Sequence, residues 1–153
     1  MQNGINHENS KKIAHGVSTL LADTYTLYLM TQNFHWNVTG PNFRQLHAMF
    51  EDHYVELAEA VDEIAERVRA LGFKAPGTYK EFMKLTSIQE ANSDLDATQM
   101  IKMLMEGHEI ISRKSKEVIE VASNFQDEAT IDLISSRMKA HEKTAWMLNS
   151  FLQ

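Results

Sequence analysis

Apolar residues return every three or four positions through most of this chain, the period of a helix that buries one face. From Ser10 to Trp36 the residues Ile13, Val17, Leu20, Leu21, Leu27 and Phe34 share one broad face and predict a first helix. Asn37-Val38-Thr39-Gly40 interrupts the pattern. Pro41 suits the first position of a second helix, where its missing N–H costs nothing. That helix carries Leu46, Phe50, Leu57, Val61, Ile64 and Val68 to Leu71 and stops at Gly72. Between Phe73 and Ala91 the period weakens. Ala75-Pro76-Gly77 signals a turn, and Thr78 to Leu85 predicts a short helix lying across the others. A third long helix starts near Ser93 or Asp94, either able to cap it, and holds Met100, Ile101, Leu104, Ile111 and Val118 up to Ser123-Asn124. The fourth runs from about Asp127 through Leu133, Ile134, Ala145 and Leu148 to Phe151, with Asp127 and Glu128 at its positive end. The expected architecture is all-α: a four-helix bundle with a short helix in the long crossover between helices 2 and 3. Residues 1–9 are expected to form a short polar N-terminal tail and residues 10–153 a single domain.

Composition narrows the chemistry. The 153 residues suit one core, and two prolines with six glycines are too few for a loop-rich β fold. Cysteine is absent, which removes disulfides, thiolate catalysis and cysteine-ligated zinc or iron–sulfur sites. Met1 to Lys12 is polar and offers no targeting segment, and no apolar run is long enough to span a bilayer. A net charge of −6 disfavours binding to phosphate backbones and favours cations.

Cations also explain the most informative residues. His47, Glu51, Asp62 and Glu66 fall within an arc of about 100° on the second helix, taking ~100° per residue. His35 lies just before the break. Taken singly, Asp62 and Glu66 are ordinary solvated carboxylates. Taken together beside an apolar stripe, such a group is costly without a neutralising cation. One metal cannot reach them all, because His47 and Glu66 are roughly 28 Å apart at ~1.5 Å rise per residue. The pairs 47 with 66 and 51 with 62 are, however, centred on the same point, between residues 56 and 57. A second copy placed antiparallel about a two-fold axis there sets His47 level with Glu66, and Glu51 level with Asp62, of its mate. Each contact then occurs twice, giving two equivalent shared sites.

The chain has no Glu-x-x-His, the motif of single-chain diiron bundles. It does carry His35-Trp36-Asn37-Val38-Thr39-Gly40, Phe43, Leu46-His47, Glu51, Tyr54 and Asp62-Glu63-Ile64-Ala65-Glu66-Arg67. This set resembles the signature of the Dps family, the mini-ferritins also called DNA-binding proteins from starved cells, within the ferritin-like superfamily. The similarity extends over essentially the whole chain, including Trp146-Met147-Leu148.

The resemblance implies a ferroxidase centre at a two-fold interface, with His35 and His47 from one chain and Asp62 and Glu66 from the other. Glu51 stands where the family has another acidic ligand, often Asp. Iron would be oxidised from Fe(II) to Fe(III), with hydrogen peroxide as oxidant, and stored as ferric mineral in a hollow dodecamer built from two-fold dimers. The implied activity is that of an oxidoreductase acting on metal ions, protecting a bacterial cytoplasm, and in some members the nucleoid, from oxidative stress. Zinc competes for such ligands. Trp36 is implied as an electron relay, with interface packing as its plainer role. Asp127, Glu128 and Asp132 match acidic residues that line entry pores, with helix capping the alternative. Some members coat DNA through a basic tail. Here Lys11, Lys12 and His7 are opposed by Glu8, so weak or absent DNA binding is expected. A DNA-compacting protein with secondary iron chemistry is the alternative function, and a shell with a degenerate site, used for adhesion or immune signalling, a third. Arg113, Lys114 and Lys116 read as a solvated basic face.

Overall fold

The computed structural model describes residues 3–153. Helix α1 spans His7–Asn37, α2 Phe43–Ala70, α3 Tyr79–Leu85, α4 Ala97–Asn124 and α5 Glu128–Asn149, followed by a single 3-10 turn at Ser150–Leu152. Helices α1 and α2 pair as one hairpin, α4 and α5 as another, and α1 lies against α4. The short α3 sits in the crossover between α2 and α4 and packs on α1. This is the ferritin-like four-helix bundle. No described helix is long and apolar enough to cross a membrane.

Local chemistry sets the ends of these helices, in places differently from the simple reading of periodicity. Asn6 accepts the Asn9 N–H at 2.9 Å and starts α1 at His7, so residues 7–9 of the expected tail belong to the bundle. Of that tail, residues 1–2 lie outside the described residues. Pro41 does not open α2. The Phe43 N–H closes a turn on the Gly40 carbonyl at 3.1 Å, and the helix begins two residues later than the proline. Gly72, at φ 97°, ends α2 and lets the Phe73 N–H reach back to the Val68 carbonyl at 3.3 Å. Thr78 caps α3 as a donor-accepting hydroxyl for Glu81. Helix α4 is capped by Asp96, not Ser93 or Asp94. Gln99 three residues on returns the hydrogen bond and completes a capping box.

The core is made of the apolar faces foreseen, with Ile13, Leu20, Leu27, Phe34, Phe50, Leu57, Ile64, Met100, Leu104 and Ile111 fully buried. Helix α4 approaches α1 closely at Gly107, where a Cβ would come 2.7 Å from Leu27 Cδ1. The crossover is fastened from inside. Asp23 of α1 is wholly buried and accepts from Thr86 Oγ1 at 2.8 Å and the Ser87 N–H at 2.7 Å, with Lys114 Nζ 3.9 Å away. Lys114 thus leaves the solvated basic group and neutralises a core carboxylate.

Candidate metal centre

The turn over residues 38–42 folds α2 back along α1 and brings His35 against His47. Their rings stack at 3.8 Å between centroids, 13° from parallel. Phe43 stacks on His47 at 5.0 Å, and Tyr54 sets its edge on His35 at 5.2 Å. Packing thus flanks both imidazoles with aromatic faces and edges.

Their hydrogen bonds decide what they can do. His35 Nδ1 is 2.7 Å from the His47 carbonyl oxygen, and His47 Nδ1 is 2.7 Å from the His35 carbonyl oxygen. A carbonyl only accepts, so both Nδ1 atoms carry hydrogen and donate. In the neutral ring Nε2 is then left with its lone pair free. This is how histidines are oriented as metal ligands, with the second nitrogen committed to a carbonyl. The reciprocal arrangement does it for two rings at once.

The carboxylates are placed otherwise. Glu51 lies one turn beyond His47 on α2, while Asp62 and Glu66 lie toward the opposite end of the same helix. All three are exposed. Among the described residues, no three of His, Asp and Glu come together as a metal-holding group within one chain. The structure thus brings together His35 and His47 and leaves Asp62 and Glu66 apart from them. Trp36 is 62% exposed and borders a groove of about 490 Å³ with Leu29, Met30, Tyr79 and Met83.

At the start of α5 the three acidic residues differ. Asp127 is buried and caps the helix through Thr130, while Arg67 of α2 donates to it at 2.7 Å. Burial pushes its pKa up, but the hydrogen bonds from Thr130 and Arg67 outweigh that and hold it below the ordinary aspartate value. Its oxygens are already committed. Glu128 and Asp132 are exposed.

A second polar group was not apparent from the sequence. His108 of α4 and His141 of α5 are buried in the core with their Nδ1 atoms 2.8 Å apart. Arg137 pairs with Glu56 of α2 and directs Nη2 to His141 Nε2 at 3.4 Å. Since Arg can only donate, His141 must accept at Nε2 and donate from Nδ1 to His108 Nδ1. His108 then carries its hydrogen on Nε2, which has no partner. Burial, followed by the charge of Arg137, lowers the His141 pKa to about 3, and burial lowers that of His108 well below the ordinary histidine value. These rings lie 33 residues apart on different helices, with no shared spacing to reveal them.

Known proteins share this fold. Residues 16–153 match the model of the ferritin-like domain. The chain is 40% identical over 143 residues to DNA protection during starvation protein 2 of Bacillus anthracis, covering 94% of this chain and 98% of that one. The structure superimposes with a TM-score of 0.95 on the Dps protein of Vibrio cholerae, at 32% identity, covering 98% of this chain and 94% of that chain. That protein is described as a member of a broad superfamily of ferritin-like diiron-carboxylate proteins. The Dps protein of Bacillus brevis gives a TM-score of 0.93, also at 32% identity, with full coverage of both chains. The fold and these matches define a ferritin-like protein, and within that class the chain belongs to the Dps family.

Proposed function

We propose that this chain is a Dps-type mini-ferritin that oxidises Fe(II) to Fe(III), with hydrogen peroxide as oxidant, at centres shared between two-fold-related copies. The observation that carries this reading is the reciprocal His35–His47 clamp, which commits both Nδ1 atoms and frees both Nε2 atoms. Two imidazoles that offer Nε2 to an ion are half of an iron site. Asp62 and Glu66 are the other half, at the far end of α2. An antiparallel neighbour about an axis near residues 56 and 57 supplies the missing half to each. Exposed apolar residues on α1 and α2, among them Leu29, Phe43 and Val55, support such a docking.

Fe(II) is the substrate. The histidines bind it as neutral nitrogen donors, and the carboxylates favour the higher charge of the ferric product. Glu51, one turn from His47, is within reach of a second ion. Two ferrous ions give peroxide one electron each, which avoids its one-electron reduction. Ferric product then collects inside a shell of twelve chains, and Glu128 and Asp132 are the acidic residues left free to guide ions inward. The same nitrogen and oxygen donors suit zinc, which competes. DNA binding is weak: Lys11 and Lys12 lie on α1 with Glu8 opposing them, and a net charge of −6 repels a phosphate backbone.

Co-assembly tests the shared site. His35→Ala/His47→Ala and Asp62→Ala/Glu66→Ala proteins, each inactive alone, are unfolded, mixed and refolded together. Recovery of rapid ferric absorbance in the mixture is expected, because mixed dimers regain one whole site. No recovery from properly assembled mixtures overturns the reading.

A further inference from the structure

Four asparagines of this chain are followed by a glycine or a serine: Asn3-Gly4, Asn9-Ser10, Asn92-Ser93 and Asn149-Ser150. A backbone nitrogen can attack the side-chain amide of the asparagine before it when its own residue is small and the backbone is free to bring the two together. The fold treats the four pairs differently. Asn9 lies within α1, where Ser10 is buried and its N–H is tied to the Asn6 carbonyl at 2.9 Å. Asn149 ends α5, and the Ser150 N–H bonds back to the Trp146 and Leu148 carbonyls. In both pairs the attacking nitrogen is committed to a helix. Asn92-Ser93 is exposed in the crossover, but its second residue carries a side chain.

Asn3-Gly4 joins a glycine to an exposed, non-helical stretch. Asn3 Oδ1 accepts the Ile5 N–H at 3.2 Å. The ring closed by that hydrogen bond contains both the Asn3 amide carbon and the Gly4 nitrogen, the two atoms that must join. Gly4 sits at φ 80°, and a Cβ there would meet nothing within 4 Å. Ile5 packs on the core and Asn6 caps α1, so the turn is held from one side while its tip stays open. We propose that Asn3 is a self-modification site, at which the Gly4 nitrogen closes on the side-chain amide and converts it, with time, to aspartate and isoaspartate.

The Gly4 nitrogen gives up its proton to solvent and forms a bond to Asn3 Cγ. The Ile5 N–H already held on Oδ1 stabilises the negative charge that develops there. The amide C–N bond breaks, and the leaving nitrogen takes a proton and departs as ammonia. A five-membered cyclic imide remains. Water opens it at one of its two carbonyls. Opening at Cγ gives aspartate. Opening at the backbone carbonyl gives isoaspartate, whose main chain runs through the former side chain. One water is consumed and one ammonia released, and no other reactant is needed. Either product adds a negative charge to a chain that already carries −6, a few residues before Lys11 and Lys12. The charge of the tail thus records the age of the chain, and the small attraction it offers phosphate declines. None of this depends on iron, and His35 lies at the far end of α1.

The test incubates the assembled native protein in warm neutral buffer over days. Protease digestion and mass spectrometry follow each asparagine, and an isoaspartyl methyltransferase counts isoaspartate by methyl uptake. Asn3 is expected to convert faster than Asn92, with Asn9 and Asn149 unchanged. Gly4→Ala should slow Asn3 to the level of Asn92 or below. Asn3→Gln, whose longer side chain closes a larger ring, should remove the early isoaspartate signal. In urea Asn9 and Asn149 should speed up while Asn3 gains little, because the fold never shielded it. Conversion at Asn92 that matches or outpaces Asn3 in the native protein overturns the proposal. So does a native rate in Gly4→Ala, an early isoaspartate signal that survives Asn3→Gln, or a large gain at Asn3 on unfolding.

Discussion

Two histidine pairs in this chain face opposite ways. In the His35–His47 pair each Nδ1 is spent on the other residue's backbone carbonyl, and both Nε2 atoms are free. In the His108–His141 pair the Nδ1 atoms are spent on each other, and Arg137 occupies one of the remaining nitrogens. The same side chain is thus prepared as a ligand in one place and used as core material in the other. Proximity of imidazoles does not distinguish the two. What distinguishes them is which nitrogen the fold consumes, and whether a permanent cation stands beside the rings. A metal ion beside Arg137 would meet like charge, whereas beside His35 it meets none from the hydrogen-bonded partners.

The largest effect expected from separating the pairs is on iron. His35→Ala with Asp62→Ala should abolish rapid Fe(II) oxidation, followed as ferric absorbance, while circular dichroism retains the helical spectrum. Oxidation at the native rate would show that the His35–His47 pair is not the site.

The buried pair should govern acid stability. Both folded-state pKa values lie below the unfolded histidine value near 6.5, so the unfolded chain binds more protons below that pH. The pair's contribution is full above about pH 6.5 and is lost as pH falls toward the folded value of about 3 for His141. The slope is roughly 1.4 kcal/mol per pH unit for each imidazole that charges on unfolding. Thermal melts between pH 7 and 4 should show it, and His108→Leu/His141→Leu should flatten it. An equally steep loss in that double variant would place the acid sensitivity elsewhere.

At neutral pH, His141→Ala alone should destabilise by about 1–3 kcal/mol, because His108 is then left with neither nitrogen paired. Urea unfolding measures this, and the iron oxidation rate of the folded variant should stay native. The smallest effect is expected at Glu51, where Glu51→Asp keeps the carboxylate and should alter the oxidation rate far less than the loss of His35. A collapse of activity there would make the longer side chain part of the site's fit to iron.

Much of the fold was legible. The helical period and the glycine stop at residue 72 mark the long helices, and Thr78 marks the start of the crossover helix. The boundaries that differ do so for reasons of hydrogen bonding. Gly40 closes a turn on Phe43 that keeps Pro41 out of the helix, and Gln99 selects Asp96 as cap over Ser93 and Asp94. That Asp-x-x-Gln signal was present in the sequence. The histidines and carboxylates of the candidate site were legible as residues with helical spacing. The reciprocal backbone bonds of His35 and His47 were not, since they depend on how one helix is laid on another. Asp23, His108, His141 and Arg137 left no trace in the periodicity because they are polar residues in apolar stripes. Each is tolerated only through a partner 33 or more residues away, or on another helix.

The five residues from Val38 to Asn42 act as a gauge block between the two arms of the first hairpin. Their number fixes which edge of α2 meets the end of α1. If the corner lost one and kept its path by drawing in Phe43, each later residue of α2 would stand one position on, turned by ~100° and shifted by ~1.5 Å. The core could recover from that by slipping along its own period, but two rings that each grip the other's main chain could not. Length at this corner is therefore held to a single value by a demand that has nothing to do with making the turn itself.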